Sequence, residues 1–230
     1  MDGIVVLQRD LQQSQGSDMT HSFHRSPKIA LAILTGTLAV AAMSGLGLAT
    51  TDAFATGACT DTITGAHSGT LTLSGPGTTC LKNATQDGAI TVSNGHELSV
   101  ADSKIYGAVT STSSAPFTFC HSSTVQGAIQ VSNSTNLVKI GDDGVACATN
   151  IVDGAVTLDS NNGGVQLGGN SIGGAVTASN NVAAQGTIIE NNHIGGKLTC
   201  SGNTPAPINN GRANTVSGER VGQTCASGTF

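Results

Sequence analysis

Between Gly69 and Gly218, short phrases of alternating apolar and polar residues return at a nearly constant interval. Gly88-Ala-Ile-Thr-Val-Ser-Asn, Gly154-Ala-Val-Thr-Leu-Asp-Ser and Gly174-Ala-Val-Thr-Ala-Ser-Asn are three copies, and the phrase opens at Gly69, Gly88, Gly107, Gly127, Gly154, Gly174 and Gly196. The steps are 19, 19, 20, 27, 20 and 22 residues, with a degenerate copy a further 22 on at Gly218. Two residues after each glycine stand Leu71, Ile90, Val109, Ile129, Val156, Val176 and Leu198. The next position reads Thr72, Thr91, Thr110, Gln130, Thr157, Thr177 and Thr199, and the fourth is mostly apolar again. Alternation of period two predicts a strand with one side turned inward. Two residues upstream of the glycine, Ile105, Val125, Val152, Ile172, Ile194 and Val216 join the inward set, which gives the glycine itself to the inner wall.

Four residues before the glycine the column is Ser103, Ser123, Asn150, Asn170, Asn192 and Asn214, and after the strand come Asn94, Asn133, Asn161, Asn180 and Asn203. Asparagine tolerates turn conformations and bonds to nearby backbone, so both columns mark corners, where stacked amides can also bond along the axis. Between corners lie further apolar pairs: Leu98 and Val100, Phe117 and Phe119, Val138 and Ile140, Val165 and Leu167, Val182 and Ala184. Each repeat therefore has room for two or three short strands. The fold class is all-β, a single-stranded parallel β-helix or β-solenoid in which every repeat bonds only to its neighbours. About eight coils stacked at roughly 4.8 Å make a rod on the order of 40 Å long. Crossover connections favour the right-handed form. Residues 204–230, where Thr204-Pro-Ala-Pro replaces a strand and Arg220 takes an inward slot, read as a cap.

Composition changes the picture at the start of the chain. Lys28 precedes an apolar run from Ile29 to Met43 and then small residues ending Ala53-Phe54-Ala55, the pattern of a signal peptide with its cleavage site. Residues 1–55 are thus expected to be a leader, with Met19 as an alternative start and a β-helix domain over 56–230. An uncleaved leader would be the chain's contact with a membrane. From Thr56 onward there are ten acidic and six basic residues, a balance that argues against nucleic acid as partner. Regular aliphatics with little charge exclude disorder.

All six cysteines follow the leader, as expected for disulfides in an exported chain. Cys59 and Cys80, Cys120 and Cys147, and Cys200 and Cys225 lie 21, 27 and 25 residues apart, each about one repeat. Residues one coil apart are roughly 5 Å from each other, within reach of a disulfide. The three bridges follow from that period, and a zinc site is disfavoured by the lack of C-x-x-C or spaced histidines.

Asn192-His-Ile-Gly-Gly-Lys-Leu-Thr-Cys-Ser-Gly-Asn-Thr-Pro-Ala-Pro, followed by Asn214-Thr-Val-Ser-Gly and Gly222-Gln-Thr-Cys, resembles the carboxyl-terminal signature of small secreted bacterial proteins of unassigned function. The resemblance covers about residues 165 to 225. It implies export and a cysteine-stapled end, and brings no catalytic residue with it.

Few constellations carry chemistry. Asp87 and Asp153 share a column but sit three coils apart, roughly 14 Å, beyond the ~5 to 9.5 Å of paired glycosidase carboxylates. Asp142, Asp143 and Asp153 are a weak calcium candidate against an ordinary Asp-Asp-Gly turn. His67, His96, His121 and His193 occupy four different columns and read as surface scatter, Arg212 and Lys197 lack a stacked acid, and no G-x-S-x-G elbow occurs. No cofactor is implied. The expectation is a non-enzymatic secreted solenoid with a structural, adhesive or surface-binding role, with cell-wall glycan or a further copy as partner. A polysaccharide-active protein is the alternative. The outward Ala-Thr-Ser columns, with Thr72, Thr91, Thr110, Thr157, Thr177 and Thr199 at their centre, resemble the faces of ice-binding solenoids and suggest binding to ice or a crystalline polysaccharide.

Overall fold

A backbone that alternates with period two and returns after about 20 residues satisfies its polar groups by bonding each strand to its copies one coil before and after. The computed structural model has this arrangement, and it describes residues 58–142, 147 and 149–230. The expected leader, the Met19 start and Asp143 lie outside the described residues. The strands pair in parallel throughout and form a β-solenoid of about eight turns, with three faces to each coil.

The first face carries the glycine phrase. Its eight strands are Leu71–Ser74, Ile90–Ser93, Val109–Thr112, Ile129–Ser132, Val156–Asp159, Val176–Ser179, Leu198–Ser201 and Arg220–Val221, stacked in that order. Register never slips: Leu71 stands opposite Ile90, Ile90 opposite Val109, and so on to Leu198 opposite Arg220. The second face runs through His96–Ala101, Phe117–Cys120, Val138–Ile140, Val165–Gly168 and Thr187–Glu190. The third is built from short strands, among them Lys104–Ile105, Thr124–Val125, Ile151–Val152, Ser171–Ile172 and His193–Ile194. Gly77–Gln86 passes through both of these faces, which makes them one thirteen-stranded sheet, and Asp61–His67 pairs along its length.

Inside, the expected columns meet. Ile90, Val92, Val109, Ile129, Val131, Val156 and Leu158 from the first face are buried against Leu98, Phe117, Phe119, Ile140 and Leu167 from the second and Ile105, Val125 and Ile172 from the third. Complete burial of such side chains stabilises by about 1.5–3 kcal/mol each, so the core lies in continuous aliphatic columns rather than in one central cluster. Phe117 and Phe119 stack with ring centroids 5.3 Å apart and are fully buried.

The glycine column has a different cause from the one expected. The glycines are only half-buried along most of the rod and do not line the inner wall. A Cβ on Gly127 would lie 2.6 Å from the Ala108 backbone, and one on Gly196 would lie 2.6 Å from Ala175 N. The missing side chain would point along the axis into the preceding coil. The close approach lets Gly174 N donate to Gly154 O at 3.0 Å and Gly196 N to Gly174 O at 3.0 Å.

The corner after the first face also differs from expectation, because the asparagine column there is two columns. Asn94, Asn133 and Asn180 are exposed and take left-handed φ of 52, 55 and 53°. Asn161, Asn181 and Asn203, one position further on, are buried and form a ladder: Asn161 Nδ2 donates to Asn181 Oδ1 at 3.0 Å and Asn181 Nδ2 to Asn203 Oδ1 at 2.8 Å. Gln223 Oε1 accepts from Asn203 Nδ2 at 2.8 Å and supplies the next rung. The second ladder runs through the column four residues before the glycine, Asn150 to Asn170 to Asn192 to Asn214, with amide bonds of 3.0, 3.0 and 2.9 Å.

In the coil after Gly174 the second-face strand is Thr187–Glu190, with Thr187 and Ile189 inward, while Val182 and Ala184 are exposed on the corner. Thr187 fills a slot held by Val165 one coil earlier, and its polarity disguises the alternation. From Thr204 to Ile208 the chain keeps only single bridges, Val182 to Thr204 and Ile188 to Ile208, before the paired strands Thr215–Val216 and Arg220–Val221 and a short 3-10 helix at Gln223–Ala226. The three disulfides are Cys59–Cys80, Cys120–Cys147 and Cys200–Cys225.

Candidate functional site

The constant register of the first face decides what it presents to solvent. Thr72, Thr91, Thr110, Gln130, Thr157, Thr177 and Thr199 lie directly opposite one another in successive strands, followed by Val221. Beside them runs the column Ser74, Ser93, Thr112, Ser132, Asp159, Ser179 and Ser201. Rungs repeat at about 4.8 Å, and the two columns are about 6.7 Å apart along the strand. Among the described residues, none of the six threonine hydroxyls is engaged in a protein hydrogen bond, so their hydrogen-bonding capacity faces outward unused. Thr72 and Thr91 are exposed and the other four half-buried by their neighbours.

Two features break the uniformity. Asp159 accepts from Ser179 Oγ at 2.6 Å, Ser160 Oγ at 3.0 Å and Asn180 Nδ2 at 3.2 Å. The Ser179 hydrogen bond holds its carboxyl below the usual aspartate range, against the opposing effect of burial, with Ser160 and Asn180 adding to the lowering. The second is an ion pair. Lys197 has a stacked acid after all, since Glu219 occupies its column one coil on and its carboxylate lies 3.1 Å from Lys197 Nζ. The sequence hides this pair because the Gly218 copy of the phrase is degenerate, and only the strand register sets Glu219 beside Lys197.

The other candidates are dispersed. Asp87 and Asp153 are both exposed on the third face, in coils separated by the strands Lys104–Ile105 and Thr124–Val125. Asp142 is bound to Lys139 Nζ at 2.7 Å, Asp153 belongs to a different face, and no group of three His, Cys, Asp or Glu side chains that could hold a metal occurs among the described residues. His193 is exposed, and His121 is half-buried at a left-handed corner. His96 is not scattered on the surface: it is buried, with Nε2 2.9 Å from Thr79 Oγ1 and Nδ1 3.1 Å from Gly75 O. Among the described residues no helix is long and apolar enough to cross a membrane.

Cavities escaped the sequence reading, because they form where coils deviate from the repeat. One of about 490 Å³ lies beside the cap, between Pro207, Ile208, Thr224 and Phe230. Another, of about 300 Å³, lies between Leu137, Gln185 and Ile188 on the second face.

Comparison with family models, with curated protein sequences and with solved structures finds no match for this chain.

Proposed function

We propose that the protein is a non-enzymatic extracellular scaffold that holds its flat first face against an extended, regularly repeating surface such as a crystalline polysaccharide. The observation that carries this reading is the in-register column of threonine hydroxyls, free of hydrogen bonds to the described residues and spaced by the strand ladder itself. A periodic surface bonds to many rungs at once only if the rungs are fixed, and a solenoid of paired strands fixes them without a conformational cost on binding. Each contact is weak, and the affinity comes from their number. Three disulfides fit a protein that works outside the cell.

The test is co-sedimentation of the purified protein with insoluble chitin, cellulose and peptidoglycan. The expected result is pelleting with at least one of them, lost in a Thr110→Lys, Thr157→Lys double variant whose unfolding curve is unchanged. Pelleting that survives the double variant, or none with any of the three, defeats the reading. The ice version is tested by recrystallisation inhibition with the same pair of proteins.

A further inference from the structure

On the third face, three successive coils bring a mixed set of side chains to one cavity. Strand pairing sets Ala66 and His67 beside Thr85 and Gln86, and these beside Lys104 and Ile105. The next residues of each coil, Ser68, Asp87 and Tyr106, continue the grid. A cavity of about 410 Å³ opens there, lined by Ala66, His67, Ser68, Thr85, Asp87 and Tyr106.

Its chemistry is fixed from beneath. Gln86 is completely buried, and its Nε2, which can only donate, is spent on Gly69 O. Its Oε1 therefore faces His67, 2.7 Å from Nδ1, and since that oxygen can only accept, the network assigns the proton to Nδ1. Asp87 adds an acceptor, and among the described residues its carboxylate has no protein partner. Tyr106, 41% exposed, adds an aromatic face. Lys104 Nζ lies over one face of the ring, 4.5 Å from its centroid.

We propose that this cleft is a binding site for a neutral, hydroxyl-rich ligand, a saccharide segment, separate from the first face. The Asp87 carboxylate accepts from ligand hydroxyls, Ser68 and Thr85 both donate and accept, and the face of the Tyr106 ring turned away from Lys104 covers the apolar side of a sugar. The charges select against other classes. Lys104 takes the place a cation would hold over the ring, and its charge offsets that of Asp87, so the cleft has no net charge to draw an ion of either sign. What remains favourable is an uncharged donor of several hydroxyl protons.

The chain has one tyrosine and no tryptophan, so tyrosine emission reports on this cleft alone. Titration with soluble cellohexaose, chitohexaose, xylohexaose and mannohexaose is expected to give a saturable change in emission with at least one. Asp87→Ala is expected to weaken that affinity about tenfold, and Tyr106→Ala to abolish binding by calorimetry. The Thr110→Lys, Thr157→Lys variant keeps full affinity, which separates this site from the first face. No saturable response to any of the four, unchanged affinity in Asp87→Ala, or equal affinity for a hexamer of galacturonic acid overturns the proposal.

Discussion

Asn192 Oδ1 accepts two hydrogen bonds from Asn170 of the preceding coil, one from its backbone N and one from its side-chain Nδ2, each at 3.0 Å. Asn192 Nδ2 in turn donates to Leu167 O at 2.9 Å and to Asn214 Oδ1 at 2.9 Å. One side chain thus satisfies buried groups in the coils before and after its own. Asn192→Ala leaves several of them without partners, each costing about 1–3 kcal/mol, and the expected loss is about 3–5 kcal/mol in urea unfolding. Asn94→Gly, at an exposed left-handed corner that glycine adopts freely, is expected to stay within about 0.5 kcal/mol of the parent.

The glycine column gives a second contrast. Gly127→Ala forces a methyl to within 2.6 Å of the Ala108 backbone, which cannot move without parting two coils. A loss of about 3 kcal/mol or more, or failure to fold, is expected. Gly228→Ala meets nothing within 4 Å and is expected to be silent in the same thermal melt.

Ser111 stands between Val92 and Val131 in an inward column, is fully buried, and among the described residues its hydroxyl has no hydrogen-bond partner. Ser111→Ala removes a desolvated polar atom with little change of volume. An increase in stability of about 1 kcal/mol is expected, visible as a higher urea midpoint with an unchanged slope.

Asp159 makes stability depend on pH. Its carboxyl titrates lower in the folded chain than in the unfolded one, so the unfolded state binds the proton more readily in that window and stability rises with pH there. The contribution is complete above the ordinary aspartate range and disappears as pH falls through the depressed folded value. Asp159→Asn is expected to flatten that acid limb, measured as urea midpoints from neutral pH down to strong acid.

Breaking the Cys120–Cys147 bridge with paired alanines opens a loop whose ends are 27 residues apart. The chain-entropy estimate for such a loop is about 3.5 kcal/mol, to be compared with the measured loss in urea.

The sequence carried most of this architecture, because a solenoid writes its geometry once per coil. Counting from Gly88 or Gly154 located the inward aliphatics, the outward threonines and the cysteine pairs, all of which depend on a position within the repeat and its copy next door. What failed depended on details within a corner. Asn180 and Asn181 are adjacent and chemically identical, yet one is exposed with left-handed φ and the other is a buried rung. Thr187 hid a strand because a hydroxyl residue occupies an aliphatic slot. The His67, Asp87 and Tyr106 cleft was invisible for a third reason: its residues occupy two neighbouring columns in three coils, and no column repeats the set.

The disulfides fall where the repeat is least regular: at the first described coil, at the 27-residue coil, and at the cap. In a stack held by nearest-neighbour contacts, such places are where unzipping would start. A covalent clip at each turns a structure that would peel away one layer at a time into one that comes apart all at once. Under mechanical load, the rod should bear tension up to a single sharp failure, and in reducing conditions it should yield in steps.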